Sequence, residues 1–354
     1  MRYCGVRTIG AGGAMVRRAL MVLVLVVTCL APAGVAAPEA DGAGQLRCNG
    51  QVQLCDRRFD RVALAGAHNA MAYPGSGFQS TYQGRSIRDQ LGGGVRALLL
   101  DVYQGTPNGA QVCTDPTPLK VAQLTREIGK AGVDRLIALR DSMCPPAGGP
   151  TSALYLCHGF CETGATLLAD ELREVRDFLR EHPREVVALV LEDYADAADI
   201  ADAFDDAGLA HQALRHRPGT RWPTLQTMIR SGKRLVVFSQ RQGGTPRWLL
   251  PAFEEMQDTP YEFRSVDEFS CAPNRGPATA PLLLVNHWLS TPDGAATAPT
   301  VNSRDQLLAR VAQCAAERRM VPNILAVNFA ETGDLVDVVD AINRSDVPSA
   351  SGTR

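Results

Sequence analysis

The feature that most narrows what this chain can fold into is a series of short apolar runs, each closed by a polar side chain capable of chemistry. The stretch 61–105 shows it twice: a run at 62–66 leads to His68 and Asn69, and a second at 95–100 ends in Asp101. A run of this length reads as a buried strand. Further runs at 153–157, 186–191, 234–239, 282–285 and 324–328, with a weaker one at 261–266, bring the expected strands to eight. Segments of helical period lie between them, as at 166–180, where Leu168, Leu172, Val175 and Leu179 share one face. Strands alternating with helices argue for a parallel sheet covered by helices. The expected fold class is therefore α/β, a TIM-type (β/α)8 barrel with room for distortion and with disulfides. An open doubly wound sheet would carry a glycine-rich fingerprint after its first strand, and AGAHNAMAYPGSG is not one.

In a parallel barrel the residues that close the strands converge on one rim, where catalytic groups sit. Here those residues are His68 and Asn69, Asp101, His158, Glu192 and Asp193, Ser239 and Gln240, Asn286 and His287, and Asn328. Three imidazoles among carboxylates and amides suit phosphodiester cleavage, which needs a base for the attacking hydroxyl, an acid for the leaving oxygen and positive charge for the phosphate. Histidine serves either proton role near neutrality. Simpler readings compete: Asp101 or Glu192 in a salt bridge with Arg96 or Lys233, and His158 as the bystander of a disulfide. His182, His211 and His216 read as surface residues, and Trp248 and Trp288 as walls.

Arg17 and Arg18 precede an apolar run from Ala19 to Ala31, and small residues follow to Ala37, the layout of a secretory signal peptide over 1–37. The expected organisation then runs through an N-terminal extension with a cysteine loop at 38–60, the barrel at 61–346 and a disordered tail at 347–354. Of ten cysteines, the leader holds Cys4 and Cys29, so eight remain in an exported chain. Disulfides follow: Cys48 with Cys55, Cys271 with Cys314, and Cys113, Cys144, Cys157 and Cys161 among themselves. Zinc fits poorly, since no second cysteine pair stands at finger spacing. A net charge of −2 without a long basic stretch gives no support to nucleic-acid binding. The segment 119–143 reads as a helical insertion of unassigned role.

GAHNA at 66–70, GVRALLLDVYQG at 94–105, LYLCHG at 154–159, EVVALVLED at 185–193, GKRLVVFS at 232–239 and ILAVNFAETGD at 324–334 resemble the successive strands of the phosphatidylinositol-specific phospholipase C superfamily. The CNGxxxxC opening, LCHGFC and NHWLS resemble its secreted, cysteine-rich branch. The resemblance implies a phospholipase C-type phosphodiesterase acting on a phospholipid or small phosphodiester, with His68 as base, His158 as acid and Asp101 as a further catalytic residue. It implies calcium on Asn69, Asp101 and Glu192, which are hard oxygen donors. Leu99, however, stands in place of a further calcium-binding glutamate, and Phe238 and Gln240 in place of phosphate-binding lysines, with Arg241 and Lys233 as substitutes. Asn286, His287, Asn328 and Arg241 are the expected substrate-binding residues. The alternative is a secreted barrel that binds a phospho- or sugar ligand without turnover. The expected protein is a monomer, secreted, touching membranes peripherally through Met71, Tyr73, Phe78 and Tyr82.

Overall fold

A computed structural model describes residues 46–345; the expected leader at 1–37 and tail at 347–354 lie outside the described residues. The chain forms strands β1 (Leu64–Ala67), β2 (Ala97–Asn108), β3 (Gln111–Thr114), β4 (Ala153–Cys157), β5 (Ala165–Leu167), β6 (Val187–Asp193), β7 (Leu235–Ser239), β8 (Leu249–Pro251), β9 (Met256–Asp258), β10 (Leu282–Asn286) and β11 (Ile324–Val327). The helices are α1 (Ile87–Gly92), α2 (Pro118–Met143), α3 (Leu168–Glu181), α4 (Ala197–Asp206), α5 (Leu225–Arg230), α6 (Ala252–Glu255), α7 (Gly294–Val301), α8 (Arg304–Arg318) and α9 (Leu335–Arg344). No described helix is long and apolar enough to cross a membrane.

Eight strands pair in the order β8-β7-β6-β2-β1-β11-β10-β9, every neighbouring pair parallel. This is the curled parallel sheet of a (β/α)8 barrel. It is distorted as expected: among the described residues no ladder joins β8 to β9, so the barrel has a seam. The count of eight nevertheless rests on different strands from those the sequence suggests. Residues 261–266 form no strand, and 153–157 is not a barrel stave. β4 instead runs antiparallel to the upper half of β2, pairing Val102 with Leu156 and Tyr103 with Tyr155, in a side ribbon with β3 and β5. The two missing staves are the three-residue β8 and β9.

Side chains alternate across each stave as a strand's period of two requires. Leu64, Ala97, Leu99, Ala188, Val190, Val236, Phe238, Leu282, Leu284, Ile324 and Ala326 fill the barrel interior. Leu98, Leu100, Leu189, Leu191, Val237, Leu283, Val285, Leu325 and Val327 pack outward under the helices. Gly66 is needed on the inward face, since a Cβ there would lie 2.9 Å from Ile324 Cγ2. The lower end is plugged by Leu54, Phe59 and Trp222 with the Cys48–Cys55 disulfide. The other disulfides are Cys113–Cys144, Cys157–Cys161 and Cys271–Cys314. Four such links fit an extracellular location.

The insertion is α2. Thr117 caps it, its hydroxyl accepting from Lys120 N at 3.3 Å, and Pro118 opens it, as helix starts favour. It kinks at Gly129, where φ is 71°. A buried Asp115–Arg140 ion pair at 2.7 Å and the Cys113–Cys144 bond pin its two ends together.

Candidate active site

The period that fills the barrel with leucine and valine also decides what tops it. His68, Asp101, Glu192, Gln240 and Asn328 stand an even number of residues beyond inward-facing positions, so their strands deliver them to the same rim. The backbone N–H of His68 donates to Val327 O at 2.9 Å, prolonging the β1–β11 ladder. That brings Asn328 beside the ring, where Asn328 Oδ1 lies 2.8 Å from His68 Nδ1. The amide oxygen holds the proton on Nδ1 and leaves Nε2 as the acceptor. Trp288 stacks flat on the imidazole, centroids 3.7 Å apart and planes 4° from parallel. Burial under this lid pushes the His68 pKa down to about 4, against the raising influence of Asn328. The imidazole is thus neutral at physiological pH.

His158 comes from above. β4 descends along β2 and places it level with Asp101, whose Oδ2 is 3.1 Å from His158 Nδ1. The Asn69 amide lies at 3.1 Å from the same nitrogen, and Asn69 needs a positive φ of 47° to reach it. The carboxylate keeps a proton on Nδ1, and the Asn69 amide, whose oxygen and nitrogen exchange by a flip, meets that nitrogen with its oxygen. The ring is 43% exposed, so the rest of it faces solvent. Burial lowers the His158 pKa, but the Asp101 hydrogen bond and the charges of Asp101 and Glu192 outweigh it, and the net shift is upward. Asp101 is itself raised to about 6, chiefly by burial. Tyr82 spans the two imidazoles edge-on, with centroid distances of 5.8 Å to His68 and 4.8 Å to His158.

Glu192 accepts from the Tyr194 hydroxyl and, at 3.0 Å, from Arg241 Nη2. Arg241 stacks over Tyr194 at 3.9 Å. Burial raises the Glu192 pKa, yet Tyr194 and Arg241 bring it below the ordinary glutamate value. Arg275 adds a second guanidinium, held by Asp258 at 2.6 Å and by Gln240 at 2.9 Å. Lys120, from α2, is buried against Tyr103, Phe160 and Tyr194, and donates to Gly159 O at 2.7 Å. Burial drops its pKa to about 8.

Several expected roles change. The ring of His287 is fully buried, its Nε2 bonded to Val301 O at 2.8 Å, and Asn286 ties β10 to Thr259 O at 2.6 Å. Neither faces a ligand. Asn328 holds His68, while Arg241 is at the rim. Lys233 serves the His211 carbonyl and Arg96 pairs with Glu185 at 2.8 Å, so neither meets Asp101 or Glu192. Trp288 is a wall; Trp248 packs on Phe204 beneath the helices. The His216 side chain, only 4% exposed, is stacked on Trp222 and is not a surface group. Met71 is fully buried and Tyr73 bonds Glu171, which removes two of the expected membrane contacts. Arg275, Asp258, Lys120 and Tyr194 escaped sequence reading. Tyr194 alone carried a signal, standing two residues beyond Glu192.

The donor set does not fit calcium, which takes about six to eight oxygens. Of the expected ligands, Asp101 is engaged by His158 and Glu192 by Arg241, while Leu99 presents a buried isobutyl group. The Arg241 guanidinium already supplies positive charge beside Glu192.

The fold and site together define a class: a parallel α/β barrel with two imidazoles of opposite proton bias on one rim. Residues 148–343 match the PI-PLC X 1 family model, and the chain belongs to that family. The match includes His158, Glu192 and Arg241 but begins after His68 and Asp101. PI-PLC X domain-containing protein 1 of Arthroderma benhamiae is 25% identical over 324 residues, covering 85% of this chain and 90% of that protein. An uncharacterized secreted protein of the same fungus is 23% identical over 318 residues, covering 81% and 61%. Two structures of the Staphylococcus aureus phosphatidylinositol-specific phospholipase C give TM-scores of 0.45 and 0.48 at 11% and 10% identity, covering 81% of this chain and 94% and 93% of theirs.

Proposed function

We propose that the protein is an exported phosphodiesterase of the phospholipase C type, acting without a metal on a phospholipid whose headgroup carries a hydroxyl beside the phosphate, as inositol does. The observation that carries this reading is the pair of imidazoles with opposite bias: His68 held neutral with a free Nε2, and His158 biased toward its protonated form by Asp101. His68 Nε2 takes the proton of the neighbouring hydroxyl as its oxygen attacks phosphorus. The bond from phosphorus to the glycerol oxygen breaks, and His158 gives that oxygen its proton. The products are a cyclic phosphodiester and a neutral diacylglycerol. Arg241 and Arg275 supply the positive charge that the phosphate requires.

Phosphorus NMR of the mature protein with phosphatidylinositol, in calcium and again in EGTA, tests this directly. A cyclic phosphate signal is expected first, at rates within about twofold of each other in the two buffers, because the cations are part of the chain. No new phosphorus signal with any phosphodiester would leave the binding-only barrel standing.

The pH profile follows from the signs of the shifts. The base works only when neutral, so its contribution fails as pH falls toward about 4. The acid works only when protonated, and its pKa lies above 6.5, so the rate declines on the alkaline side of that value. Asp101→Asn removes the group that holds the proton on His158, and the alkaline limb of kcat/KM should move to lower pH. An alkaline limb that stays in place would remove His158 from the acid role.

A further inference from the structure

The mechanism uses Lys120 only as a neighbour and leaves the rest of α2 unexplained. Behind the His158 loop, the two halves of α2 enclose a groove of about 300 Å³ lined chiefly by Leu124, Leu136, Ile137, Leu139, Met143 and Phe160. That volume is at the lower end of those that hold small ligands, about 300 Å³ and upward. The groove is not a chance gap between loose loops, because the Cys113–Cys144 bond and the buried Asp115–Arg140 pair fix its base. Its rim stays apolar where a solvated helix would be polar: Phe160 is 36%, Leu139 54% and Met143 63% exposed. Exposed apolar side chains gathered around one cavity mark a binding surface rather than random scatter.

Two residues belong to both the groove and the catalytic rim. Lys120 and Phe160 line the groove, and the Lys120 ammonium sits 4.6 Å from the Phe160 ring and 5.2 Å from that of Tyr194, the residue that bonds Glu192. Gly159, which accepts from Lys120, follows His158 directly. The groove therefore opens on the side of the acid. In the reaction above the acid protonates the leaving oxygen, so the apolar product departs toward this same side.

We infer that the α2 groove binds one acyl chain of the lipid whose phosphate is cleaved at the rim, drawing the diacylglycerol portion out of the bilayer and past the His158 loop. This rests on the phospholipid reading of the site. The chain's own continuity with the phosphate selects this occupant over a separate partner.

The test compares glycerophosphoinositol, which has no acyl chain, with dibutyryl and dihexanoyl phosphatidylinositol kept monomeric below their micelle thresholds. In the unaltered protein kcat/KM should rise about tenfold for the two methylenes added to the buried chain. Ile137→Asp, and separately Leu136→Ser, should flatten that dependence while turnover of glycerophosphoinositol stays unchanged. A chain-length dependence that is absent in the unaltered protein, or untouched in both variants, overturns the proposal. So does loss of vesicle binding alone in Ile137→Asp, which would mean that the rim docks on a bilayer. A dimer in sedimentation velocity that Ile137→Asp dissociates would likewise overturn it, giving the groove to a second copy. If no phosphodiester is turned over at all, the catalytic reading fails separately, and calorimetry with monomeric decyl phosphate judges the groove. Heat in the unaltered protein that Ile137→Asp abolishes supports acyl binding; no heat in the unaltered protein ends it.

Discussion

Replacing His68 with glutamine lowers kcat on a cyclising phosphodiester by about 10³-fold, the middle of the range for loss of a general base. Glutamine preserves size and polarity but cannot take a proton. On the proposed reading the magnitude is large because the flanking side chains cannot substitute: Asn328 is an amide, Tyr82 is a phenol whose pKa burial raises further, and Asp101 biases His158 toward its protonated form. Folding should survive, since the lost stack on Trp288 is worth only about 1 kcal/mol. Initial rates by phosphorus NMR, paired with a circular dichroism melt, separate the two effects. A variant that melts normally and keeps more than about a tenth of the rate would show that another group is the base.

Arg140→Met has its effect on stability. The guanidinium is buried with Asp115, and breaking such a pair costs about 3–5 kcal/mol because a charge is left without its partner. The low end of that range is expected here. Asp115 also accepts from Thr106 Oγ1, from Ser152 Oγ at 2.7 Å and from Gly148 N at 3.0 Å, so its charge keeps three donors. The loss should appear in urea denaturation and, before global unfolding, as faster protease cleavage within 118–152, the segment that the pair anchors. Unchanged cleavage there, with unchanged urea stability, would mean that the Cys113–Cys144 bond alone holds the insertion.

How much of this was legible beforehand depended on periodicity. Strands long enough to show a run of apolar residues were found, and the even spacing that carries Leu64 to His68, or Leu99 to Asp101, places these side chains on the rim with no further information. β8 and β9 were missed because three residues make no pattern, and Met-Gln-Asp is not even apolar. β4 was found but misplaced: ALYLC reads the same whether its neighbour runs parallel or antiparallel, and hydrophobic patterning does not distinguish the two. The rim cations were harder still. Arg275 lies in a loop without period and Lys120 on a helix far from any stave, so only the folded chain brings them to Glu192. His287 failed for the opposite reason: it follows a strand, as His68 does, but lies one residue past an inward-facing asparagine and points into the wall.

Because β2 is a barrel stave below Asp101 and a ribbon strand above it, the two histidines of the rim have different owners. His68 is built into the barrel, whereas His158 rides on an excursion that leaves the barrel after Asp101 and returns with β6. In the proposed reaction, changes in that excursion would redesign which leaving group is accommodated without disturbing the attacking side. The site is, in this sense, a fixed anvil with an exchangeable hammer, joined along a single strand.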